Sequence, residues 1–172
     1  MDAAEISKTL ATLFRELVDG VPRDPSYMLN TGDVGVHGSL EKLSAEDASR
    51  TSLGGASIAA HVDHLRYGLA LMNQWKSGVK NPWAGADWTQ SWKISAVTDA
   101  EWDRLRRELH SETQRWLESL AVAREHDQTQ LTYMIASIAH LAYHLGAVRQ
   151  INRDTRGPSA ETEAAAKRRQ RV

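Results

Sequence analysis

Four of the seven histidines lie in two predicted helices, at spacings that suit metal binding. His140 and His144 are four residues apart, which places them on the same side of a helix, about 6 Å from each other along its axis. Two imidazoles at this spacing can bind one ion. The same spacing fits two partly exposed polar residues beside an apolar stripe. Both hypotheses stay open for this pair.

The other two histidines, His61 and His64, lie in a helix whose apolar stripe is centred on Ile58, Leu65 and Leu69. A projection at about 100° per residue places His61 within about 60° of that stripe and His64 about 120° away. We therefore expect His61 to face inward and His64 to lie at the boundary, beside a solvated Asp63. A single inward histidine is commonly a hydrogen-bonded core residue, but one that faces a helix with two histidines favours a metal ligand.

Composition and charge narrow the classes of function. The chain has 172 residues, is 41% hydrophobic and 25% charged, and therefore resembles a globular protein rather than a disordered or fibrous one. Its formal net charge of -1 gives no overall attraction for nucleic acid, and the basic run at 167–171 is interpreted as solvated. With no cysteine, any metal must be held by His, Asp or Glu.

No apolar run approaches the roughly 20 residues of a membrane span, and the N-terminus lacks the order of a signal peptide. We therefore expect a cytoplasmic protein with neither a nucleic acid nor a membrane as its partner.

Four amphipathic helices are predicted from the apolar spacing and the capping residues. The first includes Ile6–Leu17, the second follows Ser57 and runs to Gly78, the third follows Thr98 and ends near Glu125, and the fourth runs from about Thr129 to Asp154. Pro22–Gly38 is expected to be an irregular connection, and a short helical piece is expected within Ser39–Arg50.

The predicted fold class is all-α, an antiparallel four-helix bundle with long connections, because no alternating strand pattern is present. It forms one domain at residues 1–156, and residues 157–172 are a flexible C-terminal tail.

Two connections contain residues that could reach a metal site. The segment Asn81–Val97 carries Trp83, Trp88 and Trp92 without helical spacing, so these rings either cover a metal pocket or cap the end of the helices. His37, in the long connection before the second helix, could approach the same site.

Residues 57–65 around His61 and residues 138–151 around His140 and His144 together resemble the DinB/YfiT superfamily. The resemblance covers most of the chain, from the first helix to about Asn152. Members are four-helix bundles, usually dimeric, which hold a divalent metal with one histidine of the second helix and a His-x-x-x-His pair of the last. The resemblance implies His61, His140 and His144 as the metal ligands.

Three neutral imidazoles suit Zn or Ni and leave a position open for water or substrate. The resemblance implies a small-molecule substrate, a homodimer and a thiol S-transferase that uses a low-molecular-weight thiol such as bacillithiol or mycothiol. A metal-dependent hydrolase is the alternative. A non-catalytic bundle that binds a metal or ligand, and a purely structural dimerisation domain, also remain open.

Three residues are candidates for a catalytic role beside the metal. His64 could relay a proton, Tyr143 could donate to a substrate, and Arg149 could hold a carboxylate with its planar fork. The alternatives are a boundary position for His64, a packed tyrosine with a satisfied hydroxyl, and an ion pair of Arg149 at the surface or in a dimer.

Overall fold

The computed structural model describes residues 2–159 and 161, and all regular secondary structure in this part of the chain is helical. The helices are α1 (Ala3–Asp19), α2 (Gly35–Glu41), α3 (Ala45–Ala48), α4 (Ile58–Lys76), α5 (Asp99–Ala121) and α6 (Gln128–Ile151), with 3₁₀ turns at Ser91–Lys93 and Arg153–Thr155. The all-α prediction is confirmed. The basic run at 167–171 and most of the predicted tail lie outside the described residues.

Side-chain caps fix where the long helices begin. Ser57 accepts a hydrogen bond from the Ala60 N–H at 3.1 Å and begins α4, as predicted. Thr98 and Glu101 form the predicted capping box of α5. The C-terminal ends differ from the expectation, since α5 ends at Ala121 and α6 at Ile151. Helix ends are set by weaker local signals than helix starts, so the periodicity overestimated both lengths.

Helix α2 lies partly in the segment that was expected to be irregular. Gly35, which reads as a loop residue in the sequence, begins this helix with a φ of +64°. A Cβ atom at Gly35 would lie 2.5 Å from the backbone nitrogen of Gly20 and 2.6 Å from the carbonyl oxygen of Val18. Glycine is therefore required here because the start of α2 approaches the end of α1 closely.

The four long helices share one hydrophobic core. Helix α4 contacts α5 and α6, and α1 contacts the same two helices. The largest fully buried side chains come from all four helices and from α2: they include Phe14, Leu40, Ile58, Trp102, Trp116 and Leu141. The contact between α4 and α6 brings the two histidine pairs to the same place.

Helix α6 is long and apolar enough to cross a membrane by length and composition alone, with a mean hydropathy of 1.3 in its best window. About a third of that window, 33%, is buried inside the structure, and core helices of soluble proteins meet the same criterion. This differs from the expectation that no segment approaches a membrane span. The difference arises because the expectation considered unbroken apolar runs, whereas the mean hydropathy averages the many Ile, Leu, Val and Ala residues of α6 with polar ones such as Ser137 and His140.

Candidate metal centre

Four histidine side chains meet between α4 and α6. The Nε2 atom of His140 lies 2.9 Å from Nε2 of His144 and 3.1 Å from Nε2 of His64. The Nδ1 atom of His144 lies 2.9 Å from Nδ1 of His61. His140 and His144 therefore converge as their spacing on one helix predicted, and both histidines of α4 reach them.

Hydrogen bonding alone cannot satisfy the contacts of His140. An imidazole nitrogen offers either one proton or one lone pair in the plane of its ring, so Nε2 of His140 cannot make two good hydrogen bonds to two other ring nitrogens. Zinc ligands at about 2.0–2.1 Å in a tetrahedral arrangement lie about 3.3 Å from each other. The observed separations are within a few tenths of an ångström of that value, so a cation between the rings fits the donor set.

Among the described residues, the group that could hold a metal ion consists of His64, His140 and His144, whose ligand atoms all lie within 4.8 Å of one another. The set implied by the resemblance has His61 in place of His64. His61 contacts the group through Nδ1 of His144.

The expectation that His61 is the more inward of the two α4 histidines is wrong. His64 is only 9% exposed, whereas His61 is half-buried. The helical projection considered only the apolar stripe of α4. It missed the segment at residues 81–97, here called the tryptophan loop, whose Trp88 and Trp92 cover the other side of His64.

Burial keeps these imidazoles neutral at physiological pH. It lowers the pKa of His144 to about 3, and the neighbouring His140, His61 and His64 lower it too. Burial, with His140 and His61 nearby, lowers the pKa of His64 to about 4. Burial also lowers the pKa values of His61 and His140. Neutral rings keep the lone pairs that a metal ion requires.

The tryptophan loop lies directly against the cluster. The ring centroid of Trp92 is 4.5 Å from that of His64 and 5.4 Å from that of His61. Trp88 lies 5.6 Å from His64, and Trp83 stacks on Tyr133 at 5.1 Å. Of the two interpretations left open by the sequence, the structure places Trp88 and Trp92 over the histidines.

Asp63 holds this loop in place. Its Oδ2 atom accepts a 2.6 Å hydrogen bond from Ser91, the residue before Trp92, and its Oδ1 atom pairs with Arg66 at 2.8 Å. Asp63 is therefore not the solvated residue that the sequence indicated. The signal was not local, because Ser91 is 28 positions away in the chain.

The two remaining candidates, Tyr143 and Arg149, have different surroundings. Tyr143 is 71% exposed and meets the ring of His144 edge-on, so it is not the packed tyrosine of the alternative interpretation. Arg149 pairs with Asp33 at 2.7 Å, and the Asp33 side chain is only 3% exposed. This pair is internal to the chain, rather than at the surface or in a dimer.

His37 does not join the cluster. It lies on α2 against α5, with its Nε2 atom 2.9 Å from the Thr113 hydroxyl and its ring 4.7 Å from that of His110. The expectation that it approaches the metal site is wrong, because the unexpected helix α2 directs it to α5.

Comparisons with protein-family models, curated proteins and solved structures found no match for this chain.

Proposed function

We propose that this chain is a metal-dependent enzyme in which His64, His140 and His144 hold a divalent cation, zinc or nickel, in a DinB/YfiT-like antiparallel four-helix bundle. The observation that carries the proposal is the position of His140 Nε2, which has two further imidazole nitrogens at 2.9 and 3.1 Å. Neutral imidazoles suit both metals. In this proposal His61 orients His144, because the two Nδ1 atoms are 2.9 Å apart and one can donate to the other.

The donor set favours an anionic exogenous ligand. The three candidate ligands are all neutral, so a divalent ion among them keeps its full charge and attracts an anion such as a thiolate. A bound divalent ion would lower the pKa of a water or thiol toward neutrality. This supports S-transfer from a low-molecular-weight thiol to a small electrophile as the leading reaction, with hydrolysis as the alternative.

The tryptophan loop supports an active site rather than a structural one. Trp88 and Trp92 lie over His64 and reduce the access of water to it, which strengthens electrostatic interactions at the site. Both tryptophans remain over a third exposed, at 37% and 41%, so the rings that cover the histidines are themselves in contact with solvent. Purely structural metal sites are usually closed.

Turnover assays test the proposal. Metal-loaded protein is assayed with bacillithiol, mycothiol or cysteine against monochlorobimane, and separately with p-nitrophenyl acetate. We expect thiol conjugation by the wild type, at least about a hundredfold slower in His140→Ala, and unchanged in His110→Ala, an exposed histidine of α5. Stoichiometric metal without turnover on either panel would instead support a non-catalytic metal-binding protein.

We also propose that the chain is a homodimer that uses the exposed side of α6. Residues 128–148 contain no Asp, Glu, Lys or Arg, and Ile135 and Tyr143 are 53% and 71% exposed on this helix. The centres of protein interfaces are depleted of charged residues and enriched in aromatic ones. A second copy would present the same uncharged surface, so the contact would bring no like charges together.

A further inference from the structure

A small cavity adjoins the histidine cluster between α4, α6 and the tryptophan loop. Its volume is about 150 Å³, and His140 forms part of its wall. The other walls are mainly apolar or aromatic: they include Leu65, Leu69, Met72, Trp83, Trp88 and Tyr133. Among the described residues, none that lines this cavity is an Asp, Glu, Lys or Arg.

Gly68, in the middle of α4, leaves space between the cavity and the cluster. A Cβ atom there would lie 3.7 Å from the ring of Trp88 and 3.9 Å from Cε1 of His140, which is ordinary van der Waals contact. A longer side chain would enter the space between these two rings. Glycine inside a helix is destabilising relative to alanine, and its φ here does not require glycine. The lack of a side chain at Gly68 therefore keeps the space between Trp88 and His140 open.

The Ser137 hydroxyl at the cavity is already hydrogen-bonded within the structure. The hydroxyl of Ser137 donates to the Met134 carbonyl at 2.7 Å and accepts from Trp116 Nε1 at 2.9 Å.

A cationic ligand is disfavoured on two grounds. In the part of the chain that the structure describes, no carboxylate lines the cavity to pair with a cation. The proposed divalent ion beside His140 would also repel a second cation. Within the described ranges, no Lys or Arg lines the cavity to pair with an anionic ring. An uncharged ring remains, and an apolar cavity of this order accommodates benzene.

We propose that this cavity binds an uncharged aromatic ring of the substrate and thereby places the adjoining reactive atom beside His140. The inference rests on the proposed function, since it names the class of electrophile on which the metal site acts: a benzyl- or aryl-bearing compound rather than a charged one. Trp83 and Trp88 supply faces on which a planar ring can stack.

Ring binding can be measured without the metal. Fluorobenzene is titrated into metal-free protein and followed by fluorine NMR. Tetramethylammonium, the cationic comparison probe, is titrated in the same way and followed by proton NMR. We expect saturable binding of fluorobenzene to the wild type, and binding at least about tenfold weaker in Gly68→Leu because its side chain occupies the space beside Trp88. The control is Ala100→Leu, which adds a leucine side chain at an exposed position of α5 that does not line the cavity. It should bind as the wild type does.

A second variant keeps the test decisive if Gly68→Leu does not fold. Gly68→Ala adds only a methyl group in van der Waals contact, so it should fold and bind fluorobenzene more weakly than the wild type. No saturable binding to the wild type, equal binding by the Gly68 variants, or tighter binding of tetramethylammonium would each overturn the inference. Metal uptake without ring binding refutes the ring site alone. Ring binding by a protein that takes up no metal refutes the proposed function and confirms the ring site.

Discussion

The Nε2 atom of His64 on α4 lies 3.1 Å from the Nε2 atom of His140 on α6. This contact joins two helices whose histidines are 76 positions apart in the chain, at a place where His64 is 9% exposed. His61, one turn earlier on α4, instead meets Nδ1 of His144. The two α4 histidines therefore have different roles in the proposed site: His64 as a ligand and His61 as a positioning residue.

This difference predicts unequal effects of two alanine variants on metal affinity. His64→Ala removes a ligand and should weaken zinc binding by more than about a hundredfold, whereas His61→Ala should weaken it by about 10–100-fold. Competition with a chromophoric zinc chelator measures both. His61→Asn, which retains a hydrogen-bonding side chain, should recover part of the affinity lost in His61→Ala. A larger loss in His61→Ala than in His64→Ala would support the ligand set that the family resemblance implies.

The Asp33–Arg149 pair should contribute strongly to stability. Arg149→Met leaves the buried carboxylate of Asp33 without its cation, which should reduce the free energy of unfolding by about 3–5 kcal/mol. The matched control is Arg104→Met, which breaks an exposed pair with Glu108 at 3.8 Å and should cost about 0.5 kcal/mol or less. Urea denaturation measures both values. A stable Arg149→Met protein with impaired turnover would instead favour the substrate-binding role considered for Arg149.

His37 should make stability depend on pH. Burial, and secondarily His110, lowers the pKa of His37 from 6.5 to about 4 in the folded protein. His37 lines a second cavity, between α2 and α5, whose wall also contains Glu41, Asp103, Arg106 and Arg107. Between these two pKa values the unfolded chain binds more protons at this residue than the folded one, so its contribution to stability is complete above pH 6.5 and declines toward pH 4.

His37→Gln removes this titration and retains a side chain that can hydrogen-bond Thr113. Urea denaturation of metal-free protein at several pH values should show a shallower loss of stability with acid in the variant than in the wild type. Identical pH profiles would show that His37 does not carry this effect.

The proposed dimer predicts that one charge on α6 shifts the oligomeric state. Ile135→Arg places a cation at the centre of the uncharged surface and should raise the dimer dissociation constant by at least about tenfold in sedimentation equilibrium. Leu53→Arg, at a fully exposed position outside α6, is the control and should not change it. A monomeric wild type would refute the dimer. A wild type that binds phosphatidylcholine vesicles through this surface of α6, instead of a second copy, would also refute it.

Local signals in the sequence predicted most of the helical structure. Ser57 and Thr98 cap α4 and α5 because capping depends on residues three positions away. The His140–His144 pair was likewise found from its spacing on one helix. Helix α2 was not predicted because its first residue, Gly35, is required by a close contact with the end of α1. Such a contact cannot be recognised from the sequence.

The features missed at the site depend on contacts between distant parts of the chain. The burial of His64 and the role of Asp63 both come from the tryptophan loop, which Ser91 attaches to α4. Similarly, the partner of Arg149 is 116 positions away. Helical periodicity considers one helix at a time, so it cannot show that a loop from another part of the chain buries one side of α4.

Elemental analysis of the purified protein tests the metal site most directly. The wild type is purified without chelator or a His tag, alongside His140→Ala, His144→Ala and the exposed-site control His110→Ala. We predict near-stoichiometric zinc or nickel in the wild type and in His110→Ala, and its loss in both α6 cluster variants, because the two remaining ligands hold a divalent ion poorly. Wild-type metal content in His140→Ala and His144→Ala would contradict the account, as would a wild type that takes up no metal on reconstitution.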